Sequence, residues 1–332
     1  MELLHSLGSY RPAPRRQVGM TIGNFDGMHR GHQFIIKRLG DWCRATEGRS
    51  LLLTFEPHPE ELFHPAAAPF RITPLPVKIA LAQAAGVDIM VAQRFDEQFA
   101  AYTADEFVDE LVGRVIAPRH IVIGPDATYG KNRGGGPDHL VDWGKRAGVD
   151  VEIAGELVLD GAAVRSTAVR QALAQGAIEL ANSQLGHPYI VCGTTVRGNG
   201  RGHKLGFATA NLELSYPPLV PNGVYATRTV IGAPQAPRER WDSVTYVGRN
   251  LTFGESSVVV ETHLLDWAGD LYGCALGIEL WSLLRREERF SSPGALVRQI
   301  AADIGKAREV LPTIRSLLDP FNVEPITAPC KP

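Results

Sequence analysis

Short apolar runs recur along the first half of the chain, at Val18–Ile22, Leu51–Phe55, Asp88–Ala92, His120–Gly124 and Asp150–Ile153. Each is too short for a helix and rich in branched residues, so each reads as a buried strand. Between them, around His32–Thr46, Val77–Ala85, Ala104–Arg114 and Asp138–Ala147, apolar residues recur three and four apart, the spacing of an amphipathic helix. Strand and helix in alternation predict an α/β unit with a doubly wound parallel sheet. Thr103 and Glu106 supply a capping box for the third helix. Ser166 or Thr167 is the expected cap of a short helix ending at Gly176, and a second short helix over Ala177–Leu185 ends at Gly186.

Beyond Gly186 the alternation stops. Extended patterns at Tyr189–Val196, Val224–Val230, Ser243–Val247, Ser257–Leu265 and Cys274–Leu283 follow one another with turn residues between, which predicts a small antiparallel barrel. Two domains are therefore expected, residues 1–186 and 187–332. Ser292-Pro293 starts a final helix in which Leu296, Ile300, Ile304, Ala307 and Leu311 form one apolar stripe, expected to pack on the barrel.

With 332 residues, 44% of them apolar and 21% charged, the chain can support two cores. A net charge of −2 gives no footprint for non-specific nucleic-acid or anionic-membrane binding, so any phosphate site must be local. No apolar run reaches bilayer length and the N-terminus lacks a signal-peptide core, which suggests a cytoplasmic protein. Cys43, Cys192, Cys274 and Cys330 are far apart, so neither a disulfide framework nor a zinc site is expected.

The candidate chemistry begins at Gly23-Asn24-Phe25-Asp26-Gly27-Met28-His29-Arg30-Gly31-His32, between the first strand and the first helix. The glycines permit close approach of backbone to ligand, and a helix start offers N–H groups and the positive end of a dipole to a phosphate. His29 and His32 share one face of the first turn. Such a site can stabilise charge on the α-phosphate of ATP during nucleotidyl transfer without a protein nucleophile.

This string resembles the N-terminal signature of bacterial bifunctional riboflavin kinase/FMN adenylyltransferase, the prokaryotic FAD synthetase. The resemblance implies that Phe55, Pro57 and His58 of a Phe-x-Pro-His-Pro string line the site. It assigns Asp126 and Tyr129 to a loop lining the flavin and nucleotide site, where Ala127 and Thr128 replace an aromatic and an arginine. Ser166, Thr167 and Arg170 would bind ATP phosphates, with Arg165 in place of a first serine. Among nucleotide-binding positions it includes Gly23, Asn24, Phe25, Asp26, Gly27 and Gly31.

The second half carries Gly206-Phe207-Ala208-Thr209-Ala210-Asn211, similar to the riboflavin kinase string Gly-Phe-Pro-Thr-Ala-Asn. Thr209 and Asn211 lie two apart on extended chain, on one side, where their oxygens could hold a Mg²⁺ carrying ATP phosphates. Gly198 and Gly206 are candidate nucleotide-binding glycines, although Gly198-Asn199-Gly200-Arg201-Gly202 does not open a helix. By the resemblance Glu261 is the general base on a riboflavin hydroxyl. His203, Ala208, Tyr246 and Leu251 depart from the family pattern. The implied partners are riboflavin, FMN and ATP, with FAD as product. Two alternatives stay open: a diverged nucleotidyltransferase for another phosphorylated acceptor with a weakened kinase half, and a non-catalytic flavin- or nucleotide-binding regulator.

Overall fold

Val18–Ile22, buried at all five positions, is the central strand of the first half. The computed structural model describes residues 1–12, 16–65, 71–198, 206–234, 236–252 and 255–313. These divide into one unit of Met1–Pro69 with Leu81–Arg165 and a second of Phe70–Ala80 with Ser166–Pro332.

In the first unit the strands are β1 (Glu2–Leu4), β2 (Val18–Ile22), β3 (Arg49–Glu56), β4 (Ile89–Arg94), β5 (His120–Ile123) and β6 (Asp150–Ile153). They form one sheet in the order β1-β4-β3-β2-β5-β6, every pair parallel. The expected doubly wound parallel sheet is thus observed. Of the strands of this sheet only β1 was not expected; three residues at an edge are too few to show a period. Among the described residues the α-helices are α1 (Arg30–Ala45), α2 (Pro59–Phe63), α3 (Leu75–Ala84), α4 (Glu97–Ala100), α5 (Ala104–Glu106), α6 (Pro137–Ala147), α7 (Ser166–Gln175), α8 (Ile178–Leu185) and α9 (Pro293–Val310). The capping box at Thr103 and Glu106 forms, and α5 continues as a π-helix over Phe107–Ile116 that closes with the Ala117 N–H on Val112 O at 2.8 Å. From β2 the chain winds outward through β3 to β4, then returns to the other side of β2 as β5. That reversal opens a crevice at the carboxyl ends of β2 and β5, the usual ligand position in such sheets.

In the second unit, after a two-stranded hairpin of β7 (Val158–Leu159) and β8 (Ala162–Ala163) counted with the first, come β9 (Tyr189–Val196), β10 (Ala210–Leu214), β11 (Gly223–Ala233), β12 (Ala236–Thr252), β13 (Glu255–Leu264) and β14 (Ala275–Arg286). They close into a barrel in the order β10-β13-β12-β11-β14-β9, all antiparallel. The pattern had not marked β10 as a strand. The helix expected to be capped by Ser166 or Thr167 begins with Ser166 itself as its first residue. Helices α7 and α8 pack Val169, Leu173, Ile178 and Leu185 with Tyr189, Tyr225 and Leu280 of the barrel. Buried Asn182 fixes α8 by donating to Leu280 O at 2.9 Å and accepting the Tyr189 N–H at 2.8 Å. The terminal helix packs as expected, Ala307 and Leu311 covering Val224, Ala226, Val244 and Trp281, with its Ser292 cap accepting the Ala295 N–H. Its apolar stripe is interrupted by Asp303, buried against Arg285 at 3.0 Å.

The barrel holds a ring of five fully buried hydroxyls. Thr227 bonds Ser243 at 2.8 Å, Ser243 bonds Thr229 at 2.8 Å, Thr229 bonds Thr262 at 3.1 Å, Thr262 bonds Thr245 at 2.9 Å, and Thr245 returns to Thr227 at 2.8 Å. Thr229 on β11 reaches Thr262 on β13 across the intervening β12, which is possible only on the concave, inward side. Five hydroxyls can each donate once and accept once around such a ring, so every proton is placed. Replacing Thr262 with Val keeps the shape but leaves Thr229 and Thr245 each short of one partner. The barrel is expected to lose about 1–3 kcal/mol, read as faster amide exchange in peptides from strands β11 to β13, with the parallel-sheet unit unchanged.

Candidate active sites

In the first unit the loop leaving β2 is tightly wound, and its side chains are buried rather than displayed. Phe25 and Met28 take left-handed conformations at φ 47° and 41°, and both side chains are 1% exposed. Thr54 of β3 ties the loop down by donating to Asn24 O at 3.0 Å, and the Gly23 N–H reaches Leu53 O at 3.1 Å. The helix begins at Arg30, so His29 stands at the N-cap, where its Nδ1 accepts the His32 N–H at 3.3 Å. This bond places the neutral ring's proton on Nε2. The two imidazoles stack with centroids 3.7 Å apart and planes 16° from parallel, and Phe25 lies 5.0 Å from His32. Asp26 is buried beside them in sequence.

Other predicted residues of this unit lie at the end of β3 or follow β3 and β5 in the chain. Gly124 follows β5 next to Ile35 of α1, and Asp126 acts electrostatically on Arg165, which is paired with Glu156. A Cβ on Gly31 would stand 3.4 Å from Val164 O, so the first turn of α1 packs against the segment leading to Arg165. Phe55 packs on Phe95 and Phe99, and Pro57 follows Glu56 through a cis peptide. His58 caps α2 by accepting the Glu60 N–H at 3.2 Å. Tyr129 is turned into the protein: its ring meets Phe107, its hydroxyl meets His139 Nδ1 at 2.7 Å, and His139 reaches Asp105 at 3.0 Å. Burial, with Asp105 adding to it, pushes the Tyr129 hydroxyl above its ordinary pKa. Gly130 next to it has φ 73°, and an added Cβ would meet the Ala104 backbone at 2.7 Å. That explains the glycine without a ligand.

In the second unit the strand register gathers several of the residues singled out from the sequence. Asn211 of β10 is directly opposite Glu261 of β13, and Glu261 is directly opposite Tyr246 of β12. Cross-strand partners share a face, with Cβ atoms about 5 Å apart. Thr262 points into the hydroxyl ring, so Glu261, with Asn211 and Tyr246, is on the outside of the barrel. Thr209 is two residues before Asn211, and the segment carrying it is held to β13 by His263 Nδ1 on Ala208 O at 2.7 Å and by Phe207 against the His263 ring. Gly198 lies against Asn211: an added Cβ would be 2.2 Å from Asn211 Nδ2. Gly206 has φ 89°. Residues 199–205, including Gly200, Arg201, Gly202 and His203, lie outside the described residues, as do the side chain of Leu251 and all of Cys330. Ser166, Thr167 and Arg170 stand in the first turns of α7, counted with this second unit.

Among the described residues no three of His, Cys, Asp and Glu come together as metal ligands, and no helix is long and apolar enough to cross a membrane. Thr209 and Asn211 instead offer hard neutral oxygens, donors that would suit a Mg²⁺ keeping water and substrate phosphates as its other ligands.

An FAD synthetase family model matches residues 11–168, and a riboflavin kinase family model matches residues 185–311. The bifunctional riboflavin kinase/FMN adenylyltransferase of Escherichia coli K12 is 37% identical over 309 residues, 93% of this chain and 97% of that one. The chain belongs to the bifunctional riboflavin kinase/FMN adenylyltransferase family. The Pseudomonas fluorescens member is likewise 37% identical over 93% of this chain and 97% of its own, and the Haemophilus influenzae member 33% identical over 87% and 92%. A crystal structure of a macrolide-efflux protein from Streptococcus pneumoniae superposes with a TM-score of 0.79 at 27% identity, covering 92% of this chain and 98% of that one. As a family member the chain is a transferase with an adenylyltransferase module and a kinase module.

Sequence reasoning did not find the Tyr246 row, the tether from His263 to Ala208, or the fit of Gly198 to Asn211. Only the departure at Tyr246 and the glycine at 198 signalled them. Gly198→Ala is expected to displace Asn211 and lower phosphorylation by about 100-fold, the effect of misplacing a group by about 1 Å, while adenylylation stays at the unsubstituted rate. Parallel assays of the two half-reactions check it.

Proposed function

We propose that this protein phosphorylates riboflavin to FMN in its barrel and adenylylates FMN to FAD, with release of pyrophosphate, in its parallel-sheet unit. The observation that carries the reading is the pairing of Asn211 with Glu261, supported in the first unit by the His29–His32 stack at the start of α1. In the barrel, Glu261 takes the proton from a ribityl hydroxyl as that oxygen bonds to the γ-phosphorus of ATP and ADP leaves. Thr209 and Asn211 would hold Mg²⁺, which offsets the charge of the ATP phosphates when bound. In the first unit, an FMN phosphate oxygen attacks the α-phosphorus and the bond to pyrophosphate breaks. The Nε2–H of His29, His32 and the N–H groups of the first turn stabilise the charge that develops.

The supporting assignments follow the family resemblance. Gly23, Asn24, Asp26, Gly27 and Gly31 shape the nucleotide loop, and Ser166, Thr167 and Arg170 bind ATP phosphates, as Gly198 and Gly206 do in the kinase half. Phe55, Pro57, His58 and Asp126 form the flavin side, with Phe25 and Tyr129 acting from behind through packing. The functional boundary is placed after Gly186, consistent with a kinase-family match that begins at residue 185, although α7 and α8 pack on the barrel. A cytoplasmic location fits the thiols of Cys43, Cys192 and Cys274, none of them in a disulfide. One observation favours a different acceptor for the first unit: Ala127 is half-buried against the core, so it supplies no aromatic ring to the loop.

The test is chromatographic and mass-spectrometric product analysis with Mg²⁺, ATP and either riboflavin or FMN. His29→Ala should cut FAD formation by about 10²–10³-fold and leave FMN formation intact. Glu261→Gln should cut FMN formation by about 10²–10⁴-fold and leave FAD formation intact. Equal loss of both in either variant overturns the two-site reading, and absence of FAD from the unsubstituted protein supports the different acceptor.

A further inference from the structure

Tyr246 stands where the family resemblance has an asparagine, directly beside Glu261. Its ring is held on every side the structure describes. On one flank it packs against the cluster of Val224, Val244 and Trp281 beneath α9, with Ile304 and Val310. Along β12 it runs over Gly248, where an added Cβ would be 2.0 Å from the phenol oxygen. At its tip the hydroxyl donates to Glu287 Oε1 at 2.5 Å, and Glu287 Oε2 accepts from Asn222 Nδ2 at 2.9 Å. Those two bonds, Tyr246's first, hold the Glu287 carboxyl below its ordinary pKa, so it remains an acceptor at neutral pH.

Two consequences follow. The phenol has one proton and gives it to Glu287, so toward the substrate side its oxygen can only accept. That oxygen lies over Gly248, two residues along the strand from the level of Glu261, a separation of roughly 6.6 Å at 3.3 Å per residue. A single hydroxyl cannot meet both groups. A short polyol can, with its terminal hydroxyl at Glu261 and an inner hydroxyl at Tyr246.

We propose that Tyr246 is a specificity residue of the kinase site, accepting a hydrogen bond from an inner hydroxyl of the polyol chain whose terminal hydroxyl Glu261 deprotonates. Glu287 and Asn222 are positioning residues that set the direction of the phenol proton, and Gly248 is the space the ring needs. The inference rests on the assignment of Glu261 as the base.

Steady-state phosphorylation by the full chain tests it, with riboflavin and with riboflavin analogues lacking one inner ribityl hydroxyl. Tyr246→Phe keeps the ring and its packing but removes the oxygen. The expected result is a KM for riboflavin raised about tenfold, kcat within twofold, and adenylylation of FMN unchanged. The preference for riboflavin over one deoxy analogue should fall by a similar factor in Tyr246→Phe and to a lesser degree in Glu287→Ala, where the phenol proton is no longer directed away. A purely structural tyrosine would lower stability without moving that preference, and an unchanged preference in Tyr246→Phe overturns the proposal. Glu261→Gln in the same assay separates the two layers. If it leaves phosphorylation intact, the reading of the base fails; if it abolishes phosphorylation while Tyr246→Phe behaves as unsubstituted protein, only the role of Tyr246 fails.

Discussion

The two-residue period of β13 governs both the core and the chemistry of the barrel. Thr262 turns inward and closes the hydroxyl ring that links β11, β12 and β13, while Glu261 turns outward between Asn211 and Tyr246. A slip of one residue would put a carboxylate inside the barrel and a threonine at the site, and burying an unpaired charge costs several kcal/mol. An all-apolar interior would pack as densely, but it would not discriminate registers by directional bonds. The ring specifies the register through atoms that never touch a substrate.

The first unit reaches the same end by another route. The residues we propose for its reaction are carried on a loop and a helix start rather than on strands, so pairing register cannot position them. Burial does so instead. Two non-glycine residues in left-handed conformations cost about 1–2 kcal/mol each, and burying the Phe25 and Met28 side chains offsets this by about 1.5–3 kcal/mol each. The loop therefore arrives at α1 in one conformation, with His29 at the cap and His32 stacked on it. Strand β3 completes the hold through Thr54 and Leu53.

What was legible in the sequence is what depends on neighbours along the chain. Val18–Ile22, the capping box at Thr103, the α1 start and the final helix each follow from local period or local side-chain bonding, and the structure contains them. The Gly23–His32 string could be read because all its parts lie within one turn. The hydroxyl ring could not, since Thr227, Ser243 and Thr262 are brought together only by closing the barrel, and in sequence each is an ordinary strand threonine or serine. Nor could the motif show what holds Tyr129, whose hydroxyl meets His139, ten residues on. The edge strand β1 was missed because its three residues give too little pattern, and β10 because its Ala-Asn-Leu-Glu-Leu run mixes polar and apolar residues at the end of the Gly206–Asn211 string.

The departures from the family pattern fall where this physics permits them. Glu261 and Asn211 are placed by main-chain pairing, and His29 by a helix cap at the end of a buried loop. The residues around them are placed by packing, which can be re-solved with different side chains provided that volume and polar bonds are satisfied. Tyr246 shows what such a solution requires: a glycine at 248 to make room, a cluster under α9 to support the ring, and Glu287 to take the hydroxyl proton. Ala127 shows the contrary case, a small residue half-buried against the core. Reacting groups set by backbone geometry and surroundings set by packing can therefore change independently, so one scaffold can keep its two reactions while the contacts that choose the acceptor are rebuilt.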